Sequence, residues 1–464
     1  MLLAVLVFIL LLSMIAVSVL FRSRADETAG QAISGGEQAW SAAMSGVEEA
    51  IRAAAAAPPG CTDWQDDPSV FRAREVYLDG AEQWYFTVFS PADSDSLAEV
   101  RYGLSDEAGR LNLNHLGDAD LTKIPGMTPT LVVTLRQFLG EAPKPAGTNA
   151  VDELALASEL VPPDPGQILS TNEMSVHGPL ATLDELLLVP GFTRALVHGG
   201  PPSADDQSLS STNADGPQFS LGIATPRRIR GFDQYFTVLS RDPNRASAGQ
   251  ARCNLNDRNA ALPEAALPAG FSNYVAVARA GNHHFVHPSE ALEATITVKD
   301  DRGVETEISS GISKENLPEV LDLFAADADK SHDGLVNVNT ASPLVLATLP
   351  GIDLPLAEAI VSTRTGMSPE RRTTTAWLCQ EAVVDAAKFK AIAPRLTARS
   401  TQFRFNVIGY GLPSGRYRVL EVVIDLGGSD PRIVYLRDIT RLGLPIRLKE
   451  ENPTQPDALA DAHG

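Results

Sequence analysis

The first twenty residues constrain this chain more than any other stretch. Met1 to Leu20 carries no charged side chain, and Ser13 and Ser18 are its polar residues. A run of that length matches a hydrocarbon core of roughly 30 Å. In lipid the backbone must satisfy its own polar groups, so the run is expected to be a helix spanning a membrane. Leu2, Val5, Phe8, Leu12, Ile15 and Leu20 are the expected lipid-facing anchor positions. A cleaved signal peptide would carry a basic start, a shorter apolar core and a small-x-small site, and none of these is evident. A buried core helix is the remaining alternative. Arg22 and Arg24 flank the run on its C-terminal side, which by charge alone places the body on the cytoplasmic face.

The apolar run continues into an amphipathic one. Ile33, Trp40, Met44, Val47 and Ile51 recur at helical spacing and predict a buried face, with a bend at Gly35-Gly36. Pro58-Pro59-Gly60 ends the helix. Segment 1–21 is thus the transmembrane helix, and 22–57 its continuation outside the bilayer.

Beyond Gly60 two motifs repeat. The aromatic stretch Trp84 to Ser90 reappears as Gln234 to Ser240, and each reads as a strand. Each is followed by an Asn-x-Asn pair, Asn112 with Asn114 and Asn254 with Asn256, and a third pair is Asn337 with Asn339. Asn amides satisfy backbone groups where strands hand over to helices, and that is the expected role here. Ligand binding is the alternative. The second motif is a pair of short helices joined at Pro125-Gly126, Pro190-Gly191 and Pro350-Gly351, a helix-hairpin-helix pattern. DNA-binding hairpins use a second glycine so that backbone amides can approach a phosphate. Thr128, Thr193 and Asp353 stand there instead. The net charge of −20 also repels phosphate backbones, so no nucleic-acid partner is expected.

The order of these motifs resembles the K-type minor pseudopilin of type II secretion, also called general secretion pathway protein K. The most specific parts are Asp106-Glu107-Ala108-Gly109-Arg110-Leu111-Asn112-Leu113-Asn114 and Val336-Asn337-Val338-Asn339-Thr340-Ala341-Ser342-Pro343. Val5 stands where most pseudopilins have an early glutamate, which the K type lacks. The resemblance implies an α+β fold, in which a long N-terminal transmembrane helix packs on a pilin-like antiparallel sheet with inserted α-helical domains. It implies single-pass insertion in the inner membrane, a periplasmic body, and I-, J- and G-type pseudopilins as partners at the pseudopilus tip. A basic leader upstream of Met1 would then set the topology. Residues 141–180, 200–220 and 257–320 go beyond the family's usual length. On this reading 61–115 is a first β segment and 116–200 a helical domain with two hairpins. Residues 217–320 form a second β segment with an insertion, 321–400 a further hairpin region, 401–448 a C-terminal meander and 449–464 a disordered tail. A membrane-anchored DNA receptor of an uptake system is the alternative function.

Within that meander, Phe403, Phe405 and Val407 alternate, and strands are expected at Tyr417 to Asp425 and Arg432 to Ile439. No phosphate loop, Gly-x-Ser-x-Gly elbow or His-Glu-x-x-His motif is present, so no enzymatic activity is expected. His283, His284 and His287 read as a strand or loop, with zinc as the alternative. Asp329-Lys330-Ser331-His332-Asp333-Gly334 reads as a solvated acidic turn, with a calcium loop as the alternative, in which Asp329, Ser331, Asp333 and Asn337 are the ligands although Thr340 replaces the usual last carboxylate. Cys61, Cys253 and Cys379 allow one disulfide at most, with the pairing open. Cys379 lies in an apolar helical stretch and is expected to be buried.

Overall fold

In the computed structural model one uninterrupted helix, α1, runs Leu2–Ala56. At 1.5 Å per residue it is about 80 Å long. The structure describes residues 2–91, 100–140, 177–199, 231–263, 267–299 and 305–443. The helix passes through Gly35-Gly36 without a break, and the side chains of Arg416 and Arg418 lie against these two glycines. Gly46 lies where an added Cβ would come 2.6 Å from Val407 Cγ2. Across the contact, Gly409 lies so close to α1 that an added Cβ would overlap the Ala39 carbonyl and the Ala43 amide. The fully buried face of α1 is therefore Ala39, Ala42, Ala43, Val47 and Ala50. Of the predicted face, Val47 is buried, Trp40, Met44 and Ile51 are half-buried at its flanks, and Ile33 is 69% exposed. Hydrophobic periodicity picks out large side chains, whereas close helix-on-sheet packing selects small ones along the seam.

The sheet beneath α1 has seven strands and is antiparallel throughout. Its main path is Arg74–Asp79, Glu82–Pro91, Gln402–Leu412, Tyr417–Asp425 and Arg432–Asp438. Val100–Arg101 pairs with the second of these and Ser105–Asp106 with the third. The expected C-terminal meander is present, and alternation sends Phe403, Phe405, Val407, Leu420, Val422 and Ile424 against Ala43, Val47 and Ala50 of α1. Neighbouring strands Glu82–Pro91 and Gln402–Leu412 pair from Val407 with Val88 to Leu412 with Gln83. More than three hundred residues of sequence separate them, and the helical body is inserted there.

That body has its own core, separate from the α1–sheet core. It consists of three similar units. Each opens on an Asn-x-Asn segment that pairs in parallel with the strand closing the same unit. Leu111–Asn112 pairs with Phe236–Thr237, Cys253–Asn254 with Phe324–Ala325, and Val336–Asn337 with Leu396–Thr397. The aromatic stretch at 234–240 is therefore not a second sheet strand introducing the next Asn pair. It closes the first unit, and only Phe236–Thr237 is extended strand. Phe236 is buried in the helical core, edge-on to Phe232, which in turn packs on Phe192.

Pairs of short helical segments do flank the Pro-Gly turns. Asp118–Leu121 precedes Pro129–Leu139, Leu183–Leu188 precedes Arg194–His198, and Pro343–Thr348 precedes Leu354–Thr365. Leu183–Leu188 is a 3-10 segment. Gly126, Gly191 and Gly351 adopt φ of 87°, 91° and 83°, the left-handed region that only glycine enters cheaply. The segments expected as extra length fall partly, and the expected disordered tail wholly, outside the described residues.

Candidate functional site: anchor helix and polar junction

Two features distinguish this molecule chemically. One is an uncovered apolar helix end, and the other is a buried polar junction between sheet and helical body.

Among the described side chains of α1, Phe8, Leu12, Ile15 and Leu20 are 51–63% exposed, and their large apolar neighbours through Phe21 are at least half exposed. Leu2 and Val5 lie in the helix, but their side chains are outside the described set. This helix is the one described element long and apolar enough to cross a membrane. Exposing so many large apolar side chains to water is unfavourable by about 25 cal/mol per Å2, so this surface belongs in an apolar phase.

The junction is built by the turn Ser105 to Gly109, which leaves the sheet and enters the first helical unit. Asp106 is buried, and its carboxylate gathers donors from distant elements. Thr340 Oγ1 donates at 2.6 Å, Ser400 Oγ at 2.7 Å, Asn337 Nδ2 at 2.8 Å and the Ala108 amide at 3.0 Å. Burial pushes this carboxyl above the usual carboxylate range, because the surrounding donors are neutral. Glu107, also buried, is treated differently by its surroundings. Burial would raise it, but Arg404 at 2.7 Å and Arg110 at 3.1 Å hold it below the ordinary range. Thr237 donates to the same carboxylate. Arg404 also reaches Glu421 at 2.8 Å, so it ties the sheet to the junction on two sides.

The Asn pairs complete the junction. Each first Asn accepts the amide of the second through its Oδ1, at 3.0, 2.8 and 2.9 Å in the three units. Each second Asn then satisfies backbone of its own unit. Asn114 bonds both the amide and carbonyl of Leu180. Asn256 takes the amide and carbonyl of Phe285 and the carbonyl of Ala326. Asn339 donates to the carbonyls of Arg372 and Ala398. These amides are consumed by structure, as their pattern predicts. The first and third units share a further device. Asn112 Nδ2 donates to Ser240 Oγ at 3.2 Å, and Asn337 Nδ2 to Ser400 Oγ at 2.9 Å. Sequence reasoning missed Thr237 with Ser240 and Thr397 with Ser400. The signal was the same Thr-x-x-Ser spacing after each closing strand.

The four candidate calcium ligands do not form one set. Asn337 is 1% exposed, and its amide is spent on Asp106, Ser400 and Asn339. Ser331–Asp333 is a strand paired with Arg241–Pro243, and Asp333 faces Arg241 at 3.4 Å. The Asp329 carbonyl accepts from Asn244 at 2.9 Å. Folding thus places the Asn337 side chain in the junction and the other three residues on the Asp329 to Asp333 stretch. His287 caps the 3-10 turn Pro288–Ala291, accepting from the Ser289 amide at 3.1 Å, and burial holds it neutral with its pKa lowered to about 3. His283 contacts Glu290 at 3.1 Å. Glu290 also accepts the backbone amide of His287, at 3.3 Å. All three cysteines are unpaired, and Cys379 is buried as expected.

The Pro-Gly turns are closed to phosphate by their own side chains. Thr128 accepts from the Leu131 amide at 3.3 Å, Thr193 from Leu196 at 3.3 Å and Asp353 from Leu356 at 3.0 Å. The residue in place of the second glycine is thus an N-cap, and it uses an amide that a phosphate would need.

No family model and no curated protein matches the chain. Among solved structures it is similar to a chain of the GspK–GspI–GspJ complex of the type 2 secretion system of enterotoxigenic Escherichia coli. Identity is 10%, coverage is 90% of this chain and 99% of that chain, and the TM-score is 0.32. A likeness of that size supports no functional inference by itself.

Proposed function

We propose that this chain is a minor pseudopilin of the K type, anchored in the inner membrane with its body in the periplasm, and that it acts in assembly at the tip of a type II secretion pseudopilus. One observation carries the reading. An apolar helix emerges bare from one end, seats its other end on an antiparallel sheet through alanines and glycines, and a helical body interrupts that sheet before Gln402–Leu412. Such a molecule has a membrane-embedded shaft and a large head, and its chemistry is contact with other proteins. Asp106 and Glu107 are held by side chains of both the sheet and the helical body, which suits a rigid head. The DNA-receptor alternative has less support, because the capped turns and the charge of −20 oppose phosphate binding.

The test is co-expression of the full chain with the I-, J- and G-type pseudopilins of the same genome. Co-purification from detergent-solubilised membranes with the I and J subunits supports the proposal. Retention of duplex DNA in place of those subunits, or no association with them, overturns it.

A further inference from the structure

The sheet and the first helical unit meet a second time, away from the buried junction, through a chain of four partly exposed charged groups. Arg437, on the edge strand Arg432–Asp438, lies 2.5 Å from one oxygen of Asp184. The other Asp184 oxygen lies 2.9 Å from His198 Nε2. His198 Nδ1 lies 3.6 Å from Asp233. Four elements of distant sequence are joined. Asp184 sits on Leu183–Leu188, His198 ends the helix Arg194–His198, and Asp233 lies on the turn Phe232–Gln234.

We propose that this chain is an acid-fastened latch between the edge of the sheet and the first helical unit. With His198 protonated, two cations balance two carboxylates. With it neutral, Arg437 still pairs with Asp184, but Asp233 is left facing an uncharged ring, and one negative charge is uncompensated. Both ring nitrogens point at carboxylates, so the imidazolium satisfies both while the neutral ring donates only one hydrogen bond.

The other charged groups nearby do not replace the histidine. Glu185, on the same 3-10 segment as Asp184, is bonded to the Ala181 amide and Thr182. Arg194 lies one turn before His198 on its own helix and opposes its charge mildly. Tyr435, two residues before Arg437, bonds the Arg437 guanidinium and keeps it charged. Asp233 first, and then Asp184, raise the His198 pKa above 6.5 against partial burial. A group raised on folding contributes stability that is complete below its unfolded value and is lost as pH rises through the folded value. The latch therefore holds below about pH 6.5 and slackens as pH rises through the raised folded value of His198. This inference stands whether or not the chain is a pseudopilin.

The test uses the full chain in detergent micelles with ring-labelled histidine. His198→Gln identifies the His198 resonance among the eight histidines. The expected midpoint lies above 6.5 and falls in Asp233→Asn. Amide exchange across Arg432–Asp438, compared between wild type and His198→Gln at each pH, should be slower in wild type at pH 6 and equal at pH 9. A midpoint at or below 6.5, a midpoint unmoved in Asp233→Asn, or an exchange ratio independent of pH overturns the latch. If His198→Gln does not fold, Asp233→Asn makes the assignment: one histidine resonance should fall in midpoint in that variant, and no such resonance overturns the latch.

Discussion

Asp106 and Glu107 are chain neighbours, both buried, and their carboxyls shift in opposite directions. The cause is who stands opposite. Asp106 meets hydroxyls, an amide and a backbone N–H, whereas Glu107 meets two guanidinium groups. A buried carboxylate with cationic partners is stabilised as the anion, and one among neutral donors is not. Glu107 therefore contributes stability above its ordinary value of 4.5 and loses it as pH falls through its depressed folded value. Glu107→Gln should cost about 3 kcal/mol near pH 7, because Arg404 and Arg110 lose a buried partner. That cost should shrink below roughly pH 4.5 as the wild-type carboxylate protonates. Urea denaturation of both proteins across this range checks it, and a cost independent of pH would show that the pairing is incidental. In the sequence, Asp106-Glu107 was visible as part of a motif but not as a hub. Thr237, Asn337, Ser400 and Arg404 reach it from 130 to 297 residues away.

At the scale of elements, the contact between α1 and the central strand is governed by what is missing from the side chains. Ala39, Ala42, Ala43 and Gly46 leave the helix nearly flat, and Gly409 lets the strand touch its backbone. Gly409→Val would place methyl groups where the Ala39 carbonyl and Ala43 amide already lie. Overpacking against backbone should cost about 3 kcal/mol, the upper end of the usual range, because neither helix nor strand can yield locally. Gly80→Ala is a weak control, since Gly80 has φ of 63° but open space around it. The melting temperature of the two variants distinguishes crowding from loss of glycine freedom. Equal, small losses would mean that the close approach is not sustained. The existence of α1 and its end at Pro58 were legible, as were the three meander strands, because period and punctuation encode them locally. The seam was misplaced by one position because apolar periodicity cannot distinguish a small residue that packs from a large one that borders.

At the scale of the whole molecule, two cores are held together by polar contacts, and a third apolar surface has no cover at all. The α1–sheet core and the helical core meet at Asp106, Glu107 and Arg404. The uncovered surface is Phe8 to Phe21 of α1. If it lies in a bilayer, one charge at its middle costs about 3 kcal/mol by insertion scales. Ile15→Arg should therefore shift a substantial share of the chain from alkali-resistant membranes to the soluble fraction, whereas Ile33→Arg, beyond the span, should not. Fractionation followed by immunoblotting reads both, and identical behaviour of the two variants would argue against a bilayer-spanning role for this stretch.

The sequence by itself determined what depends on neighbours along the chain. It set the apolar span, the long helix and its stop, the meander, the Pro-Gly turns, and the structural use of the Asn pairs. Tertiary structure decided what depends on partners far away in sequence. It turned the aromatic stretch at 234–240 from a sheet strand into the closing segment of a helical unit. It took Asn337 from a candidate calcium loop and gave it to Asp106. It also joined Asp184, His198 and Asp233 to Arg437. Local pattern specifies which way a side chain points, but only the assembled fold brings a charge or a hydrogen-bond partner within three ångströms of it.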